Sequence, residues 1–200
     1  MVKIVFANLH AQYLKYKNEI DCAIQRVIDS SQFIMGEEVK ELEDELSRFT
    51  NTQAITCANG TDALLIALMG IGIEPGDEVI TTPFTFISTA EVIASLKAKP
   101  VFVDISEEDF NINAEKIESA ITSKTKAIIP VSLFGQPSEM DNINEIAKYY
   151  QLRVIEDAAQ SFGATYKGKR SCNLSELATT SFFPAKPLGC YGDGGAIFTC

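Results

Sequence analysis

One histidine, His10, and five scattered cysteines are all that this 200-residue chain offers toward imidazole or thiol chemistry. Cys22, Cys57, Cys172, Cys190 and Cys200 form no C-x-x-C pair, so they do not spell a zinc site. Their odd number points to reduced thiols and a cytoplasmic setting. A Ser-His-Asp or Cys-His centre would have to use His10, which lies in a stretch without a nucleophile signature. Basic residues are few: 17 Lys plus Arg against 27 Asp plus Glu leave a formal charge of −10. A chain this acidic repels phosphate backbones, so no nucleic-acid partner is expected. Long apolar runs are missing too. The longest, Ala63 to Ile73, falls well short of the roughly 20 residues that span a bilayer, so no membrane partner is expected. Only Ile4 to Ala7 follow Lys3 before Asn8, which is too little for a secretory leader. The 46% hydrophobic content is nevertheless enough for a packed core.

What is present alternates. Residues 11–29 carry a helical apolar face (Tyr13, Leu14, Ile20, Ala23, Ile24, Val27, Ile28), and residues 37–49 repeat it with Val39, Leu42, Leu46 and Phe49. Short apolar runs follow at Ala54–Cys57, Glu78–Thr81, Pro100–Val103, Ala127–Val131 and Val154–Ile155, separated by helical segments at 61–70, 85–96, 113–121 and 139–150. Strands alternating with helices of this length predict βαβ units: an α/β fold of three layers, a mostly parallel sheet flanked by helices. The run Ala127-Ile128-Ile129-Pro130-Val131 suits a sheet covered on both faces. No internal repeat or interdomain linker is visible. The last residues, Gly194 to Cys200, read as a strand without a following turn, so the chain is expected to be the front part of a longer protein.

In an open parallel sheet, ligands bind beyond the carboxyl ends of the strands. After Ala54–Cys57 come Asn59-Gly60-Thr61-Asp62 and an apolar helix. Free N–H groups at such a helix start make a phosphate cup; an ordinary N-cap by Asn59 or Thr61 is the plainer alternative. Asp157 follows the apolar Val154-Ile155 and precedes two alanines. Buried there, it needs a cation or a donor, unless it is simply a helix cap. Lys186 sits between Pro184 and Pro187 in an apolar, turn-rich stretch. A partly desolvated lysine becomes a nucleophile toward carbonyls, whereas a snorkelling surface lysine would do nothing. Two further motifs mislead. Gly163 to Arg170 nearly spells a P-loop, but Arg170 stands where Ser or Thr must hold magnesium, and the segment reads better as a hairpin turn. The acidic run Asp104, Glu107, Glu108, Asp109 lacks calcium-loop spacing and reads as a solvated face.

A phosphate for Gly60–Asp62, a basic ring nitrogen for Asp157 and an aldehyde for Lys186 describe one ligand, pyridoxal 5'-phosphate. Phe84-Thr85-Phe86 lies at the same sheet edge to cover a ring face.

At these residues the chain resembles the DegT–StrS family of nucleotide-sugar aminotransferases, within the fold-type-I pyridoxal-phosphate superfamily. The resemblance rests on Asn59-Gly60-Thr61-Asp62-Ala63-Leu64, Gly76-Asp77-Glu78-Val79-Ile80, Pro100-Val101-Phe102-Val103-Asp104, Glu156-Asp157-Ala158-Ala159-Gln160 and Ser181 to Gly195, in order along the chain. It implies Lys186 as the Schiff-base lysine, Asp157 as the partner of the pyridine nitrogen and Gln160 as that of the ring hydroxyl. It further implies Thr61, Asp62 and Ser181 at the phosphate, with Gly60 allowing close backbone approach, and Phe86 as the residue stacked on the ring, with Phe84 second and expected rather in the core. It implies residues 1–200 as the N-terminal segment and most of the cofactor-binding large domain, without the small domain. It also implies a homodimer whose partner chain completes the phosphate site, an amino donor such as glutamate, and a nucleotide-linked keto-sugar as acceptor in amino-sugar and polysaccharide biosynthesis. Ser132 stands where many members carry histidine, which puts sugar contacts there in question. A sugar dehydratase of the same family is an alternative, but that branch has histidine in place of Lys186. A non-catalytic protein that kept the fold is another.

Overall fold

The computed structural model describes residues 7–200. Lys3 and Ile4–Phe6, which bear on the question of a leader, lie outside these. Two helices open the chain, α1 (Leu9–Ser30) and α2 (Glu37–Thr50), followed by β1 (Gln53–Cys57), α3 (Gly60–Gly70), β2 (Glu78–Thr81), α4 (Ser88–Ser95) and β3 (Lys99–Phe102). Then come α5 (Ala114–Ala120), β4 (Thr125–Ile128), α6 (Met140–Tyr150) and β5 (Arg153–Asp157). The hairpin β6 (Thr165–Tyr166) and β7 (Lys169–Arg170) precedes β8 (Leu177–Ser181) and β9 (Gly195–Thr199). The expected alternation is there, with one strand more than the apolar runs indicate: β8.

Seven strands form one sheet in the order β1-β9-β8-β5-β4-β2-β3. Every pairing from β8 to β3 is parallel, and β9 alone runs against its two neighbours, β8 and β1. The sheet is therefore mostly parallel, as the βαβ pattern predicts. Alternation of side chains across β5 defines its two faces. Ile155 packs with Leu64, Leu68, Val92 and Ile93 of α3 and α4, whereas Val154 packs with Ile117, Met140 and Ile143 of α5 and α6. A third cluster seats Leu46 of α2 on Ala54, Ala178, Ala196 and Phe198. Three layers result: α3 and α4, the sheet, and α2 with α5 and α6.

Both edges of the sheet are protected. The outward N–H of Ala54 donates to Ser47 Oγ at 2.9 Å and that of Thr56 to Glu43 Oε1 at 2.8 Å, so α2 occupies the β1 edge. On β3 the N–H groups of Lys99 and Val103 donate inward, to Asp77 O and Thr81 O. Pro100 between them turns an edge position without a donor outward.

The segment 163–170 is the hairpin expected in place of a P-loop. Lys167 and Gly168 form its turn with φ of 48° and 84°, the left-handed pair that a two-residue hairpin needs. Asp104, Glu107 and Glu108 are exposed, as a solvated face requires. The apolar stripe of α1 is present but uncovered: no residue of this helix is buried, and Leu14, Ile24 and Ile28 are about half exposed. Among the described residues no helix is long and apolar enough to cross a membrane, and all five cysteines are free.

Candidate active site

The site forms where α3, β5, β8 and the loop after β8 converge at the carboxyl ends of the strands. Asp157 closes β5. Its N–H donates to Pro130 O at 2.9 Å, and its carbonyl accepts from Ser132 N at 3.0 Å. This backbone is fixed from the β4 side, and Ala158 N is fixed to Thr179 O from the β8 side. The Asp157 side chain is buried on the α3/α4 face. Oδ2 accepts from Thr89 Oγ1 at 3.0 Å and Oδ1 from Ala159 N at 3.2 Å. Burial pushes its carboxyl above the usual carboxylate range. The Ala159 N–H, the Thr89 hydroxyl and the positive charge of Lys186 act the other way.

Lys186 is held by a β-turn in which its N–H donates to Phe183 O at 2.8 Å. Pro184 at the second position presets the turn's backbone. Two further bonds, Phe182 N to Gly194 O and Cys190 N to Phe182 O, staple the loop back onto the sheet. Lys186 is half-buried, and burial pulls its amine below the ordinary lysine range against the opposing pull of Asp157. Its neutral, nucleophilic form is thereby favoured.

α3 begins at the third corner. Asn59 is its N-cap: Oδ1 accepts from Asp62 N at 2.8 Å, while Nδ2 donates to Asp62 Oδ2 at 3.3 Å. The N–H groups of Gly60 and Thr61, the first of the helix, have no intrahelical acceptor. Both readings of this segment thus hold at once, since the cap engages the Asp62 N–H and leaves the two before it. The cup is drawn tight by glycines. A Cβ on Gly60 would stand 2.6 Å from Ser181 Cβ, and one on Gly195 would stand 2.4 Å from the backbone of Asn59. Ser181 Oγ accepts from Phe183 N at 3.2 Å, which leaves its proton to donate elsewhere. Gln160 Oε1 accepts from Phe134 N at 3.2 Å, leaving its NH2 as the free end.

All eight residues singled out in the sequence, Gly60, Thr61, Asp62, Phe86, Asp157, Gln160, Ser181 and Lys186, line one cleft of about 900 Å³. That size suits a cofactor together with part of a substrate. Sequence reasoning missed Thr85, Thr179, Thr180, Phe183 and Asp193, which also line it, and Thr89, which lies behind Asp157. Nothing in the sequence announces Thr89, because its partner is 68 residues away.

One expectation is corrected, and the question raised at Ser132 gains a structural answer. Phe84 is not in the core: it is 44% exposed and clusters with Phe110 and Phe134, because Pro83 and the Thr82 hydroxyl, which accepts from Phe84 N, turn the chain outward before α4. Ser132 does not reach the cleft. It is fully buried, and its hydroxyl points to Glu156 Oε1 at 3.4 Å on the other face of the sheet.

Glu156 was also unforeseen as a buried acid. It accepts from Ser171 Oγ at 2.6 Å and Cys172 N at 2.9 Å. Burial pushes its carboxyl up to about 7.

Residues 15–200 match the DegT/DnrJ/EryC1/StrS aminotransferase family. The UDP-2-acetamido-2-deoxy-3-oxo-D-glucuronate aminotransferase of Pseudomonas aeruginosa is 60% identical over 197 residues, which cover 98% of this chain and 55% of that protein. The structure of Streptomyces venezuelae DesV in complex with a ketimine intermediate superposes with a TM-score of 0.97 at 40% identity, covering 100% of this chain and 54% of DesV. That of Bacillus subtilis NtdA with bound cofactor PMP gives 0.87 at 37% identity, covering 92% and 42%. The chain thus spans about half the length of the relatives it matches. Its α/β fold is that of fold-type-I aminotransferases. With nearly all of its length matched and its cleft built from the motif residues, the chain belongs to the DegT/DnrJ/EryC1/StrS aminotransferase family.

Proposed function

We propose that this chain is the N-terminal segment and most of the large domain of a pyridoxal-phosphate-dependent aminotransferase. The enzyme moves an amino group, from glutamate or a similar donor, to a keto group of a nucleotide-linked sugar. A cytoplasmic role in amino-sugar and polysaccharide biosynthesis follows from that reading. The observation that carries it is that Lys186 and the buried Asp157 line one cleft with the α3 N-terminus.

The residues present fit the cofactor. The Gly60–Ser181 approach makes a cup that any Cβ at Gly60 would fill. Asp157 has two donors for a carboxylate with about four lone-pair sites, so it has room for a cationic ring N–H. When bound, pyridoxal phosphate supplies the electron sink for the carbanion formed in amino transfer.

The chain's own residues do the rest. The N–H groups of Gly60 and Thr61 and the hydroxyls of Thr61 and Ser181 hold the phosphate at the positive end of α3. A carboxylate cannot accept from another anion, so Asp62 serves by holding Asn59 in place. Asp157 would keep a proton on the ring nitrogen, the Gln160 NH2 would serve the ring oxygen, and Phe86 would cover a ring face, all three lining the cleft. Lys186 would hold the cofactor through its aldehyde, and its amine, half-buried in the cleft, is the group that would move a proton between amino donor and cofactor.

Charge supports a dimer. Lys186 is the one basic residue among those lining the cleft, against Asp62, Asp157 and Asp193. A phosphate dianion in such a site calls for cationic or amide donors from a partner chain.

Retention of Lys186 favours amino transfer over the dehydratase reading, because the returning amine is what distinguishes the two. The test is borohydride reduction after incubation with pyridoxal phosphate, followed by peptide mass analysis. Stable mass on the Lys186 peptide is expected. Labelling elsewhere, or none in the full-length dimer, favours the non-catalytic reading.

A further inference from the structure

Thr89 lies in the first turn of α4, as its second residue, and its hydroxyl does not back-bond as hydroxyls deeper in a helix do. Ser and Thr inside helices commonly donate back to the carbonyl three or four residues earlier. Thr50 does so to Leu46 O at 2.8 Å, and Ser95, in the same helix as Thr89, to Glu91 O at 2.9 Å. Thr89 is fully buried, yet its hydroxyl leaves the helix and donates to Asp157 Oδ2 at 3.0 Å. Thr85, one turn earlier, places its Oγ1 3.3 Å from that of Thr89 and lines the cleft.

A hydroxyl has one proton to give, and an ionised carboxylate only accepts. With Asp157 charged, the Thr89 proton is committed to Oδ2, so Thr85 must be the donor in the Thr85–Thr89 pair. We propose that Thr89 is a positioning residue for Asp157, and that Thr85 and Thr89 form a hydroxyl relay that aims the Asp157 carboxylate into the cleft and favours its charged form. Protonation of Asp157 frees the relay to run the other way, turning the Thr85 proton toward the cleft. The charge of a buried acid is thereby expressed at the surface that substrate meets.

Other charged or titratable groups act on Asp157 as well. Lys186 from the loop after β8 favours its ionised form, while Glu156 on the same strand and Cys172 beyond it lie toward the opposite face of the sheet. Thr89 differs from all three in touching the carboxylate directly. The inference depends on the function proposed above only for what Asp157 faces; the relay itself is a property of the chain.

The experiment is a pH titration of the Asp157 carboxyl carbon by NMR in the full, aspartate-labelled chain without cofactor, with Asp157→Asn identifying the signal. Thr89→Val keeps the shape and removes the hydroxyl. It is expected to raise the Asp157 midpoint by about one pH unit, the size of one hydrogen bond to a charged group. Thr89→Ser restores the midpoint, and Thr85→Val raises it by less. Affinity for pyridoxal phosphate, read by fluorescence, falls about tenfold in Thr89→Val and recovers in Thr89→Ser. An unmoved midpoint in folded Thr89→Val, or no recovery with serine, overturns the relay. Should Thr89→Val fail to fold, an unmoved midpoint in Thr85→Val overturns it instead. If the midpoints move as stated while the wild-type dimer binds no pyridoxal phosphate, the relay stands and the functional reading falls.

Discussion

Glu156 and Asp157 are consecutive in the chain, point to opposite faces of the sheet, and are both buried. Two carboxyls so placed cost free energy when charged, and Glu156, facing Ser171, Ser132 and Cys172, has no basic partner in its cluster. Its native-state pKa of about 7 lies above the ordinary 4.5. The native chain therefore keeps a proton that the unfolded chain releases, and stability falls as pH rises through that window. The slope from one such proton is at most about 1.4 kcal/mol per pH unit. Asp157 acts in the same direction from a lower starting value. Glu156→Gln mimics the protonated acid: its carbonyl can accept from Cys172 N and its NH2 can donate to Ser171 Oγ. Urea midpoints are expected to fall less steeply between about pH 5 and 7 in this variant than in the wild type. Identical pH dependence in the two would mean that Glu156 does not titrate there.

Gly60 and Gly195 predict a second result. A Cβ at Gly195 would meet the backbone of Asn59 at 2.4 Å and Gly60 N at 2.8 Å, and neither can give way as a flexible side chain would. At Gly60 the obstacle is Ser181 Cβ at 2.6 Å, on a strand. Gly60→Ala is expected to cost about 1–3 kcal/mol in chemical denaturation, with Gly195→Ala at the upper end. Because Gly60 sets the approach of α3 to β8 and Gly195 that of α3 to β9, Gly60→Ala should also weaken pyridoxal phosphate binding. Full retention of stability in both variants would show that α3 is free to move away.

Much of this was legible in the sequence, for physical reasons. Helices α2, α3 and α6 and strands β2 and β5 carry the apolar spacing their burial demands, and the Lys167-Gly168 turn carries its own backbone chemistry. Strand β8 was not legible. Leu177-Ala178-Thr179-Thr180-Ser181 has one large apolar residue, so it lacks the apolar run that marks a buried strand. The helical segment expected from 85 begins only at Ser88 as α4, after the turn at Thr82 and Pro83. Asp157 and Lys186 could be picked out because a charge amid alanines or prolines is locally anomalous. Thr89 and Glu156 gain their meaning only from partners distant in sequence.

On the proposed function the electron sink needs a charged Asp157, whereas the fold does not. Asp157→Asn preserves the shape and can still accept from Thr89, so thermal unfolding should change little while turnover falls at least about a hundredfold in the full-length dimer. On the same proposal Lys186→Ala removes both the nucleophile and the proton carrier, from a loop residue that no core cluster includes. It should abolish turnover and borohydride labelling together while leaving the denaturation curve in place. Wild-type turnover by Asp157→Asn would remove that residue from the mechanism.

Glu43 bears on how the sheet is kept from pairing with other chains. Its Oε1 accepts from both the N–H and the hydroxyl of Thr56 at 2.8 Å, on the free side of the edge strand β1. Glu43→Ala leaves a backbone donor and a hydroxyl without their acceptor, at a cost of about 1–3 kcal/mol for bonds to a charged group. Glu43→Gln keeps an acceptor and should lose less. The alanine variant also opens the edge to another strand, whereas Pro100 goes on blocking the opposite edge. Light scattering on warming should therefore show association at a lower temperature for Glu43→Ala than for Glu43→Gln at matched concentration. If the two associate alike, the loss of stability alone drives association, and α2 is a buttress rather than a cover for the edge.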